Sequence, residues 1–445
     1  MANEQGGVEA RLSTFDTAMV VFSLVVGIGI FRTPSIVARA AGSTPLFFVA
    51  WVSAGIVALI GALTFAEIGS RFPRVGGYYR VVAECYHPAL AFMLNWAQAL
   101  MQGAGAAGVA FIGADYLAPI LLPASLRTPQ TSLVLACSTM LVLLGFNYRG
   151  VRSGARTQNI LSALKIVLIV GLAVCALLLA PHAVATAEVT ASPAGPVFPR
   201  LAAALIPCFY AYGGYQMTMN LGADLKDARR RFAPAIAAGM AIVITLYLLL
   251  NIAYYAVLGT AGIADAQLVA AALSRATFGS SGELVVSLAV FLSAAGFVNA
   301  AIIQMPRSFH AMAADGVLPR AFLRVNPKTQ VHEAGLLFFG GTMLLPAFVL
   351  GSFEKLLNYV IFTDTLSIAV VASTLFVLRR RRAGDGGFAV PGYPVVPAIY
   401  LISLLGVAVS VLVREPRLAL AGILVMLTGW PLFRLGRRVS GSAAA

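Results

Sequence analysis

The 445-residue chain is 60% hydrophobic and only 11% charged, with a mean hydropathy of +0.88, which excludes a soluble globular protein and predicts a bundle of membrane-spanning helices. Its net charge of +14 would suit a nucleic-acid binder, but the basic residues alternate between loops, as a membrane topology demands and a nucleic-acid surface does not. Four cysteines, Cys85, Cys137, Cys175 and Cys208, show no CxxC or His-paired spacing and read as small apolar residues rather than a disulfide or metal framework.

About 20 mainly apolar residues cross roughly 30 Å of hydrocarbon. On that criterion the chain predicts twelve spans, at 14–40, 45–70, 87–118, 130–147, 156–180, 199–223, 233–259, 283–311, 334–351, 354–378, 394–413 and 416–435. With the tail 1–13 taken as cytoplasmic, 22 of the 31 Lys and Arg residues fall in loops on that side and 8 on the other, Lys165 lying within a span. This is the positive-inside pattern, and it puts both termini, including the tail 437–445, in the cytoplasm. No basic start leads into an apolar core and cleavage site, so no cleaved signal peptide is expected. Insertion in a plasma or inner membrane follows, with lipid as the natural surround.

The first span carries "VVGIGIF" and the sixth "CFYAYGGYQ". Two glycine-broken segments thus recur five spans apart, and an odd offset reverses the direction of crossing. Such a pair points to inverted halves, 14–180 and 199–382, with 394–436 outside the repeat, and to a secondary transporter whose site lies at mid-membrane. Breaking a helix in hydrocarbon strands N–H and C=O groups at several kcal/mol each unless they hold a ligand or line a polar cavity. At the first break the outer half-helix presents N–H groups and a positive dipole end to a carboxylate, while the inner half ends in carbonyls that suit an ammonium. An α-amino acid fits both. Glycines also permit close packing through small-residue interfaces.

Three ionisable residues stand out within spans. Lys165, about ten residues into the fifth span and so ~15 Å deep, either takes the place of a coupling cation, carries a transported proton, or is a static charge on broken-helix carbonyls. Asp364, in "VIFTDTLSIAV", is a proton acceptor, a counter-charge on the substrate path, or a fixed hydrogen-bond partner. Glu67, near the cytoplasmic end of the second span, is expected to brace an inner gate through neighbouring arginines. Tyr210 and Tyr212 flank the sixth-span break, and Tyr210 is placed to lid the site. No nucleotide-binding motif, metal-ligand spacing or Ser, His and Asp constellation occurs, so neither cofactor nor enzymatic chemistry is expected and gradients must supply the energy.

These motifs together resemble the amino acid, polyamine and organocation superfamily, and within it the L-type amino acid transporters. "GIGIF" is similar to that family's Gly-Ser-Gly-Ile-Phe, "TFAEIGSRFPRVGGYYRV" to the run after its second helix, "FYAYGGYQ" and "DARRRFAPAI" to its sixth helix and following loop, and "GFVNAAIIQMPRSFHAMAADGVLP" to its eighth. The resemblance implies an all-α membrane protein of the LeuT-like fold, with discontinuous helices one and six and a 5+5 inverted repeat. It implies a substrate carboxylate on the N–H groups of Ile28 and Gly29, and an amine on the carbonyls of Val25, Val26, Tyr210 and Gly213. Gly27, Ala211 and Gln216 complete the substrate-binding set. Tyr210 falls on the family's gating aromatic, and Lys165 on a lysine that stands in for sodium, which implies sodium independence. Gly213, where cationic-substrate relatives carry an aspartate, favours neutral substrates. Asp364, where relatives often have asparagine, leaves a cationic amino acid or polyamine exchanger open, and a non-transporting amino acid sensor is a further reading. Ile28 replaces the usual serine, so backbone groups must serve the carboxylate alone. The connection "PILLPASLRTPQTS" lacks a cysteine, so no disulfide-linked heavy chain is expected.

Overall fold

The computed structural model describes residues 18, 21–22, 25–27, 29–72, 77–149, 154–180, 196–216, 219, 228–314, 316–327, 329, 331–351, 353–381 and 388–441. Of these, 154–165, 228–232, 353–361, 436–441 and a few single positions are described by backbone alone. Among the described residues the chain is all-helical, with α1 Gly29–Ala41, α2 Thr44–Arg71, α3 Gly77–Cys85, α4 Pro88–Leu121, α5 Pro129–Tyr148, α6 Gly154–Leu179, α7 Val197–Tyr212, α8 Ala228–Asp265, α9 Val269–Ala314, α10 Glu333–Leu350, α11 Phe353–Arg380, α12 Val395–Arg414 and α13 Pro416–Gly441. Seven helices among the described residues are long and apolar enough to cross a membrane, and four shorter apolar ones accompany them. The chain is a multi-pass membrane protein.

Several helix starts are written locally. Proline opens α2, α4 and α5, where a missing N–H costs nothing because the first turn has no intrahelical acceptor. The His87 Nδ1 accepts from the Ala89 N–H at the head of α4, and Thr128 and Thr131 exchange side-chain bonds at the head of α5. Two features depart from the predicted spans. A short helix, α3, follows the second span, and the helix expected at 283–311 begins at Val269, with helical dihedrals interrupted at Gly279 (φ 71).

The helices sort into two packed groups. Helices α1, α2, α7 and α8 pack against one another, α4 packs against α5, α9 and α10, and α6 and α11 touch both sets. Helix α13 lies on α4 and α11. Large apolar side chains such as Phe146, Leu178, Phe348 and Val413 are exposed on the perimeter, as befits a protein whose solvent is hydrocarbon. The interior holds the aromatic residues Trp51, Tyr116, Tyr212, Tyr247 and Tyr254, all fully buried.

Candidate functional site

The first expected break is present. The Val26 N–H still reaches the Phe22 carbonyl at 2.8 Å, but the Gly27 N–H turns back to Val25 O at 2.8 Å, and the chain leaves helical geometry at Val26 and Gly27 before α1 resumes at Gly29. The N–H groups in the first turn of α1 therefore have no carbonyl four residues back inside their own helix. Ile28 lies outside the described residues.

The second break follows from α7. That helix stops at Tyr212, Gly213 is extended (φ −64, ψ 163), and its N–H bonds to Tyr210 O. The next N–H, of Gly214, is taken at 2.9 Å by the Gln216 side-chain oxygen, which folds that buried glutamine back over the break. Tyr210 is half-buried, whereas Tyr212 is fully buried.

The two breaks meet. A Cβ added to Gly29 would lie 3.2 Å from the Ala211 Cα, tighter than ordinary van der Waals contact, and 3.5 Å from its Cβ, so the missing side chain lets α1 approach the end of α7 without displacing it. Between them stands the Tyr247 hydroxyl of α8, 3.2 Å from Ala211 O and 3.4 Å from Val25 O. One buried donor thus serves a carbonyl from each interrupted segment. Tyr247 is fixed by Tyr212 (centroids 5.1 Å apart) and Trp51 (6.0 Å), which also contact each other at 5.7 Å. On the far side of the break, the Tyr116 hydroxyl donates to Phe31 O at 2.7 Å and accepts from the Ala270 N–H at 3.3 Å, and Arg32 bonds to Gln267 O. These contacts tie α1 to α4 and to the residues around the start of α9.

Val25, Gly29 and Ala211 are therefore in direct register, with Val26, Gly27, Tyr210, Gly213 and Gln216 in the same two turns. Asp364 sits apart. It is on α11 and half-buried, near Gln98 of α4, and its buried Oδ1 has no hydrogen-bond partner. Tyr215, just past the second break, Tyr400 and Tyr78 lie within its electrostatic reach, and the Tyr215 and Tyr400 hydroxyls are 2.8 Å apart. Lys165 falls on α6, which packs against α8 and α9; its side chain is outside the described residues.

Glu67 is fully buried, and none of its side-chain bonds reaches either break. Its Oε1 accepts from Arg71 Nε and Arg379 Nε, and its Oε2 from Arg379 Nη2 and the Val390 N–H, all at 2.7 Å. Arg379 also lies 3.9 Å from the centroid of the Tyr393 ring. The arginines expected around Glu67 are thus Arg71, one turn on, and Arg379, from a helix more than 300 residues away in sequence.

Sequence reasoning missed Tyr247, Trp51 and Tyr116. Tyr247 sits in an apolar run, "ITLYLLLNIAYY", and aromatics in such runs usually only pack. The available signal was a polar stripe, since Tyr247, Asn251 and Tyr254 fall at i, i+4 and i+7 and all are buried on one face.

The family described as Amino acid permease matches residues 12–429. The serine/threonine exchanger SteT of Bacillus subtilis is 26% identical over 97% of this chain and 98% of its own length. Human Asc-type amino acid transporter 1 is also 26% identical, over 98% of this chain and 84% of its own. Mouse large neutral amino acids transporter small subunit 2 is 27% identical over 94% and 79%.

Proposed function

The chain belongs to the amino acid permease family, and from that premise we propose that it exchanges neutral α-amino acids across the membrane by alternating access, independently of sodium. The observation that carries this reading is the meeting of two interrupted helices around one buried hydroxyl. The first turn of α1 offers N–H groups and a positive dipole end to the carboxylate, and the carbonyl end of α7 offers acceptors to the ammonium. Ionic groups a bond or two apart on one carbon match such a pair; a sugar or a simple anion uses only half of it. The names of the relatives, an exchanger and two amino acid transporters, support transport over sensing.

The chain is proposed to cross the membrane twelve times with both termini in the cytoplasm, in two inverted halves. In support, the packed groups take predicted spans one, two, six and seven, then three, four, eight and nine; each group draws equivalent spans from both halves at an offset of five. No disulfide-linked heavy chain is required, because the connection between α4 and α5 contains no cysteine. Tyr210, half-buried beside the break, is proposed as the lid.

Purified protein in liposomes loaded with one unlabelled amino acid at a time tests this. Labelled serine, alanine or leucine should enter only against an internal amino acid, at equal rates with and without sodium. Binding without counterflow would make the protein a sensor, and strict sodium dependence would refute the role given to Lys165. A second reading, proton-coupled uptake or exchange of cationic substrates, is favoured by Asp364, a carboxyl with a buried oxygen that has no hydrogen-bond partner.

A further inference from the structure

A groove of about 780 Å³ opens on the perimeter between the first turns of α4 and the second half of α13, lined by His87, Ala89, Leu90, Met93, Leu427 and Trp430. The two helices that line it cross in close contact. A Cβ on Gly429 would stand 2.9 Å from the Met93 Cα, so α13 crosses α4 in backbone contact there, and Trp96 of α4 bonds through Nε1 to the Thr428 hydroxyl beside it. Leu427 and Trp430 are 51% and 41% exposed, which in a membrane protein means facing acyl chains.

The rim of the groove is cationic and polar. The Arg434 guanidinium lies 4.8 Å from the centroid of the Trp430 ring, which fixes it one turn beyond the apolar floor, and no acidic side chain pairs with it among the described residues. Arg437 and Arg438 follow, and after Glu415 the chain contains no Asp or Glu at all. Because the His87 Nδ1 accepts from Ala89, the neutral ring carries its proton on Nε2 and has a donor left for the groove mouth. Apolar floor, interfacial tryptophan and unopposed cation in sequence are the order of groups along a phospholipid, from acyl chain through glycerol to phosphate. Basic pockets between membrane helices select anionic headgroups on that ground.

We propose that this groove is a binding site for one anionic glycerophospholipid, with its phosphate on Arg434 and His87 and an acyl chain along Leu90, Met93 and Leu427. The site is separate from the helix breaks and independent of which solute is transported.

Tryptophan quenching reads it directly. The chain has three tryptophans; Trp51 is fully buried, Trp96 is half-buried and stacked on Phe92, and Trp430 faces the bilayer. The full chain is reconstituted in phosphatidylcholine vesicles containing chain-brominated phosphatidylglycerol or chain-brominated phosphatidylcholine. The signal assigned to Trp430 is the part lost in Trp430→Phe. Brominated phosphatidylglycerol is expected to quench it at a several-fold lower mole fraction than brominated phosphatidylcholine, and Arg434→Gln to bring the two curves together without moving the emission of the other tryptophans. Equal quenching by both lipids in the unaltered protein, or a preference that survives in Arg434→Gln combined with His87→Gln, would overturn the site. So would the absence of Trp430 quenching by either lipid, which would mean that a second copy of the chain covers the groove. Loss of the preference on adding excess inorganic phosphate would reassign the rim to a soluble anion.

Discussion

Tyr247 places a single O–H between two carbonyls that belong to different interrupted helices, at a point where the first and second breaks touch. Tyr247→Phe keeps the ring packed against Trp51 and Tyr212 but leaves both acceptors without that donor, a loss of about 1–3 kcal/mol. The expected outcome is folded, monodisperse protein whose half-saturating substrate concentration in counterflow rises ~5-fold to ~100-fold. An unchanged value would show that the hydroxyl does not shape the substrate-binding turns. Gly29→Ala inserts a methyl 3.2 Å from the Ala211 Cα, and Gly29→Val should abolish exchange by forcing α1 off α7. These glycines are legible in the sequence because helix breakers in a span are conspicuous. Tyr247 is not legible there, since one tyrosine among leucines carries no mark of the carbonyls it will meet.

At the scale of elements, the Glu67 clamp joins α2, α11 and the strand of chain entering α12 through four hydrogen bonds on one carboxylate. Removing one member of a buried, fully bonded ion cluster costs about 3–5 kcal/mol, because the remaining charges lose their partner in a low-dielectric setting. Glu67→Ala should therefore lower the apparent Tm in detergent markedly. Arg379→Lys should do so as well, since lysine can reproduce neither the two-pronged contact nor the stacking on Tyr393. Unfolding curves that coincide with the unaltered protein would make the clamp energetically neutral. The proximity of Glu67 to arginines could be read from the sequence only for Arg71, at i+4. The dominant partner, Arg379, is brought in by the packing of α11 on α2, which local pattern does not encode.

For the whole molecule, Asp364 joins a cluster of hydroxyls from α3, α12 and the chain after α7 with Gln98 of α4. If transport carries a proton on this carboxyl, Asp364→Asn should flatten the pH dependence of uptake while sparing exchange at fixed pH. Identical pH profiles for the two proteins would assign Asp364 a fixed structural bond instead.

The sequence alone was enough to identify a polytopic helical membrane protein, to locate most of its apolar helices and to mark where two of them fail, and its arginine distribution carries the proposal of which face each loop takes. Hydrophobic length, arginine distribution and glycine placement act locally, one segment at a time, so they can be read one segment at a time. Only the tertiary structure decided that the two failures meet, that Tyr247 sits between them, and that Glu67 closes on Arg379. In hydrocarbon no hydrophobic force selects helix partners; shape, a missing Cβ and the pairing of buried polar groups do, and those depend on residues hundreds of positions apart.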